Sequence, residues 1–109
     1  MRHWFYLFLA IFFEIAGTTS MKLSEGFSRF FPSVCIFIFY GICFYFLTLA
    51  LRGIDISTAY AIWSGLGTAL IVGIGFFYFR ETISWSQLFF ISLILVGVVG
   101  LHLSRGSLE

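Results

Sequence analysis

One carboxylate stands apart from the rest of this sequence. Glu14 lies inside an apolar run, and Leu7, Ala10, Ile11, Gly17, Thr18 and Met21 share its helical face at i±3, i±4 and i±7. The other acids, Glu25, Asp55, Glu81 and Glu109, fall in polar connections or at the chain end. A charge at mid-membrane depth costs about 2.5–3.5 kcal/mol on insertion scales, so an acid there is a functional candidate by default. No Lys or Arg lies within a span to pair with it. Protonated, such a group is neutral and tolerable in a low dielectric; ionised, it needs a cation. A proton and a cationic guest would then compete for one group, which is sufficient for coupled exchange across a bilayer. The bland alternative is a neutral acid that hydrogen-bonds between helices. Ala10, Gly17 and Thr18 are small and leave space beside the carboxylate, for a ligand or for a close partner helix.

Aromatic residues supply the second half of that chemistry. They make up 22% of the chain, with 16 Phe, and most fit lipid-facing or helix-contact positions. Tyr40 in the second apolar run, and Tyr60 and Trp63 three apart in the third, are the suggestive ones. Tyr and Trp inside a membrane need hydrogen-bond partners, and a carboxylate is a good acceptor. Their ring faces attract cations by roughly 0.5–2 kcal/mol. An acid among such rings suits a lipophilic cation. An interfacial belt is the competing reading; it fits Trp4 and Trp85, near run ends, better than Trp63. Gly65 and Gly67 follow Trp63 and allow either a hinge or close packing. Gly97 and Gly100 in the last run could form a close helix contact, such as a dimer seam.

The elements that must hold these groups are four apolar runs, about Trp4–Met21, Ser33–Leu51, Ile56–Phe79 and Trp85–Leu103. Each spans roughly 27–36 Å as a helix, matching a hydrocarbon core of about 30 Å. The composition agrees: 61% of the 109 residues are hydrophobic and 10% charged, too few charges to clothe a water-soluble globule. Connections at Lys22–Pro32, Arg52–Asp55 and Arg80–Ser84 are short, so neighbouring helices run antiparallel. An acid at position 14 is out of place in a cleaved leader.

Alternating spans put Arg2, Arg52 and Arg105 on one side and Lys22, Arg29 and Arg80 on the other. With three bases on each side the positive-inside rule chooses neither orientation. The tie permits insertion both ways and antiparallel dimers; equally, six charges are few. A net charge of +1 points to no nucleic-acid partner. Cys35 and Cys43, about 12 Å apart along a helix, are too distant for an intrachain disulfide and read as packing residues. His3 and His102, near the two ends, have no metal-ligand spacing. Neither a catalytic arrangement, a metal nor a cofactor is expected.

Three segments carry a family resemblance: Glu14-Ile15-Ala16-Gly17-Thr18-Thr19, Met21-Lys22-Leu23-Ser24-Glu25-Gly26-Phe27, and Ala59-Tyr60-Ala61-Ile62-Trp63-Ser64-Gly65-Leu66-Gly67. With them the chain resembles the small multidrug resistance transporters over nearly its whole length. The resemblance implies an all-α membrane protein of four transmembrane helices per chain, multi-pass in the plasma or inner membrane. It implies an antiparallel, dual-topology homodimer that exchanges protons for cationic small molecules. Glu14 of both subunits would bind proton or substrate. Trp63 and Tyr60 would line the pocket, joined by Tyr40 and Phe44. Thr18, Ala10 and Gly17 would shape the first-span face, Gly65 and Gly67 would permit a bend, and Gly97 would belong to a fourth-span dimer motif.

Ala16 and Ser64 stand where the guanidinium-exporting subtype tends to have Trp and Thr, which favours the quaternary-ammonium subtype. Trp4 replaces a Tyr common in that subtype, and Phe90 stands where some members have a glycine. The stretch Gly53-Ile54-Asp55 is similar to paired subunits linked to polyamine export. Two further readings therefore accompany the exporter: an obligate heterodimer subunit, and a non-transporting assembly subunit in which Glu14 is an interhelix hydrogen bond.

Overall fold

The computed structural model describes the backbone of residues 2–108 and the side chains of residues 2–104. The side chain of Arg105, and Glu109 altogether, lie outside the described residues. Among the described residues there are four helices: α1 (Arg2–Leu23), α2 (Phe30–Ala50), α3 (Ile56–Phe77) and α4 (Trp85–Leu108). All four contain stretches long and apolar enough to cross a bilayer, Trp85–Ser104 in the case of α4. In hydrocarbon a helix satisfies its backbone within its own segment, which is why these runs take this form. The expected all-α architecture of four spans is what the chain adopts. It divides into two compact units, Met1–Ala59 and Tyr60–Glu109.

In the first unit α1 packs against α2. The buried stripe of α1 is Leu7, Ala10, Ile11, Ile15, Gly17 and Ser20, at helical spacing. On α2 the buried residues Ile36, Cys43 and Ala50 recur every seven positions, the repeat of a helix-pair seam. Aromatic contacts pin the register. The Phe46 ring is stacked with Tyr6 at 5.9 Å and with Phe13 at 6.2 Å, and Phe13 also meets Phe39 at 6.2 Å. Rising numbers on α1 meet falling numbers on α2, so the pair is antiparallel. Each such ring pair contributes about 0.5–1.5 kcal/mol beyond its buried area.

The turn between them is organised by Ser24, which is buried. Its hydroxyl donates to the Met21 carbonyl and accepts from the Phe27 N–H, while its carbonyl accepts from the N–H groups of Ser28 and Arg29. Glu25, Gly26 and Phe27 all have positive φ, which reverses the chain. Here the expected boundary shifts. Pro32 does not close the connection but occupies the first turn of α2, which starts at Phe30. A first-turn N–H has no partner within the helix, so proline's missing donor costs nothing there.

The second unit holds most of α3, then α4. A Cβ on Gly65 would stand 2.5 Å from Cγ2 of Val98 and 3.8 Å from Cγ2 of Ile94. That glycine brings α3 directly onto α4. The start of α4 is a capping box: the Gln87 N–H donates to Ser84 Oγ at 3.2 Å, and the Ser84 N–H donates to Gln87 Oε1 at 2.7 Å. Trp85 is 87% exposed at that helix start, as an interfacial anchor would be.

Candidate functional site

Glu14 lies twelve residues into α1 from Arg2, about 18 Å along the axis, and is half-buried. The cationic residues of the same unit, Arg2, Lys22, Arg29 and Arg52, sit at helix ends or in connections. What meets the carboxylate is neutral. Thr18, one turn on, donates its hydroxyl hydrogen to Glu14 Oε1 at 2.9 Å. The same hydroxyl lies 2.6 Å from the Tyr40 phenol oxygen on α2. With Thr18 donating to Glu14, the Tyr40 O–H is the group that donates to Thr18. The phenol oxygen also lies 4.0 Å from Sδ of Met21. Four side chains thus form one polar line, Glu14–Thr18–Tyr40–Met21, across the α1–α2 seam.

Gly17 makes the line possible. A Cβ there would stand 2.8 Å from Cδ2 and Cε2 of Tyr40. The missing side chain is the slot that the tyrosine ring fills. Phe44, one turn along α2, has its ring centroid 6.0 Å from that of Tyr40 and is 53% exposed. Among the residues singled out from the sequence, Glu14, Thr18, Gly17, Tyr40 and Phe44 therefore do come together in the first unit. Ala10, one turn before Glu14, is fully buried in the α1 stripe; it shapes packing and presents no accessible surface in this chain.

The packing reading of Cys43 holds: it is fully buried, one helical turn from Tyr40 on α2.

In the second unit Tyr60 and Trp63 meet edge-on, with centroids 5.9 Å apart and planes at 67°. Tyr60 is 65% exposed and Trp63 half-buried. Gly65 and Gly67 are both buried, and α3 runs without interruption through them. Gly97 and Gly100 are the reverse case. Both are exposed, and a Cβ at either would meet nothing within 4 Å.

Known proteins place the chain. The family profile described as Small Multidrug Resistance protein matches residues 2–94. An uncharacterized membrane protein, YvaE of Bacillus subtilis, is 52% identical over 93% of this chain and 85% of its own length. The multidrug resistance protein EbrB of the same organism is 45% identical over 100% and 93%. The quaternary ammonium compound-resistance protein QacF of Klebsiella aerogenes is 39% identical over 94% of each. Four apolar spans with an acid in the first, matched along nearly the whole length, lead to one conclusion: the chain belongs to the small multidrug resistance family, whose members are transporters and not enzymes, and it is a multi-pass protein of the cell membrane.

Proposed function

We propose that this drug efflux transporter exports lipophilic or quaternary ammonium cations in exchange for protons, and that both compete for Glu14. The observation that carries the reading is a half-buried carboxylate well inside α1 whose hydrogen-bond partner is a neutral hydroxyl. A fixed Lys or Arg partner would leave no place for a guest; a hydroxyl supports the anion without neutralising it. The polar line can also run backwards. When Glu14 carries a proton it donates to Thr18, Thr18 donates to Tyr40, and the Tyr40 O–H turns toward the Met21 sulfur. Both protonation states then keep their hydrogen bonds, which suits a group that cycles between them. The names of EbrB and of QacF point the same way for substrate class.

In this scheme Tyr40, Tyr60, Trp63 and Phe44 offer ring faces to the cation. Thr18 positions the carboxylate, Gly17 and Ala10 keep the α1 face close-packed, and Gly65 and Gly67 would permit α3 to bend during transport. The working unit is an antiparallel homodimer. Support comes from the evenly divided charges and from α4, of whose apolar stretch nothing is buried within the chain. Gly97 and Gly100 would sit in that dimer contact. Asp55 immediately precedes α3, where an acid is stabilising for any helix, so its place there does not by itself call for a second kind of chain.

The test uses the purified single chain in vesicles with an acidic lumen. Radiolabelled tetraphenylphosphonium should accumulate, stop accumulating when the gradient is collapsed, and not accumulate with Glu14→Gln. Gradient-driven uptake by Glu14→Gln would end the proposal. Activity from the single chain supports the homodimer.

A further inference from the structure

Within the first unit, one ring joins the start of α1 to the second connection. A Cβ on Gly53 would collide with Nδ1, Cγ and Cε1 of His3. The imidazole therefore lies on the glycine backbone, and a larger residue at 53 would push it off. Gly53 does not have a positive φ, so close approach is what the position requires of its glycine. The antiparallel pairing of α1 and α2 brings the two residues together. What the ring holds is the entry to α3. The Gly53 N–H donates to the Ala50 carbonyl at 3.2 Å, closing α2. The chain then turns inward, and Ile54, Thr58 and Ala59 are all buried. These residues belong to the first unit, which ends in the first turn of α3. Seating His3 on Gly53 thus ties the start of α3 to α1.

The seat suits a neutral ring. His3 is half-buried, and among the described residues it makes no hydrogen bond. A protonated imidazole has two N–H donors, each needing an acceptor. At the adjoining end of α2, the Leu47, Leu49 and Ala50 carbonyls already accept from the N–H groups of Leu51, Arg52 and Gly53. The charged and titratable groups on the packed elements are Arg2 and Tyr6 on α1, and Arg52 and Asp55 in the connection; the last turn of α2 has none. Arg2 and Arg52 adjoin the two contact residues in sequence, and their charges oppose a third cation. Asp55 and the negative end of α2 act the other way. The unmet donors decide the balance, because water satisfies both once the ring leaves the seat. Histidine ordinarily changes charge between about pH 5 and pH 8.

We propose that His3 is a pH-sensitive clasp on the second connection. Neutral, its ring seats on Gly53 and holds the start of α3. Protonated, it leaves the seat and frees that start to move. The control acts at the membrane face where α1 begins. It goes beyond the exchange proposed at Glu14 and does not depend on it.

The test is nuclear magnetic resonance on the full-length, isotope-labelled Glu14→Gln protein in neutral maltoside micelles, from about pH 8 to about pH 5. A nuclear Overhauser cross-peak between the His3 ring protons and the Gly53 α-protons reports the seat directly. It should be present at the alkaline end and lost at the acid end, with the midpoint at which the His3 ring itself titrates. The amides of Ile54 and Ala59 should shift with the same midpoint, while that of Gly73, inside α3, stays still. Adding His3→Phe, which keeps a ring for the seat and removes both nitrogens, should preserve the cross-peak at every pH and abolish the amide shifts. Adding Gly53→Ala should remove the cross-peak at every pH. A cross-peak that survives after the His3 ring has taken its proton overturns the proposal, as does its absence at both ends. Amide shifts that persist with His3→Phe would assign the response to Asp55 and overturn it too. Every sample lacks the Glu14 carboxylate, so a failure here leaves proton exchange standing, and a failure of proton exchange leaves the clasp standing.

Discussion

Tyr40 occupies the space where a side chain on Gly17 would be, with two ring carbons 2.8 Å from the Cβ position. The neighbouring Thr18 hydroxyl meets the same phenol at 2.6 Å and Glu14 at 2.9 Å. Close approach of α1 and α2 and the support of the carboxylate are therefore one feature. Removing the slot has to disturb the hydrogen bonds.

Gly17→Ala tests that coupling. Alanine is the better helix former by about 1 kcal/mol, yet its methyl would force the ring aside, at a cost of about 1–3 kcal/mol for overpacking. The expected result is a lower melting temperature in detergent together with weaker tetraphenylphosphonium binding. An unchanged melting temperature with normal binding would show that Tyr40 moves freely and does not hold Thr18.

Thr18→Val keeps the shape of the side chain and deletes the hydroxyl. Glu14 then loses its donor, and the Tyr40 O–H loses its acceptor. Hydrogen bonds to charged groups contribute about 1.5–3 kcal/mol, so cation affinity should fall on the order of tenfold or more. Equilibrium dialysis at a pH where the wild-type protein binds well measures this directly. Thr18→Ser, which restores the hydroxyl, should recover most of the loss. Failure of serine to rescue would reassign Thr18 to packing.

The contact of Gly65 with Val98 predicts a pairwise effect. Gly65→Ala should destabilise the protein by about 1–3 kcal/mol, because its Cβ would stand 2.5 Å from Cγ2 of Val98. Val98→Ala in the same chain should restore stability. The double-mutant cycle should give a coupling of about 0.5–3 kcal/mol. Additive effects would mean that α4 slides rather than yields at this point.

Gly97→Leu separates folding from assembly. Nothing lies within 4 Å of a Cβ there, so helix content should be unaffected. If α4 forms the dimer contact, the bulky side chain should convert the protein from dimer to monomer in detergent and abolish transport. Sedimentation and circular dichroism on one sample distinguish the two. A dimer of normal stability would move the seam elsewhere.

Four spans and a displaced acid were legible from residue types alone. Hydrocarbon forces each apolar run to satisfy its own backbone, so length and hydropathy determine the helices without reference to neighbours. Glu14 stood out for the same reason, and Thr18 followed from its position one turn away. The capping box at Ser84 and Gln87 is also written in the sequence, as a Ser-x-x-Gln signal. Tertiary structure decided the rest. Which α2 residue meets Thr18 depends on how two helices are rotated and shifted against each other, and many rotations suit lipid equally well. Tyr40 filling the slot at Gly17, and Gly65 rather than Gly97 carrying the α3–α4 contact, both depend on that choice. Local chemistry determined which segments enter the membrane; side-chain shape at the helix seams determined which groups meet inside it.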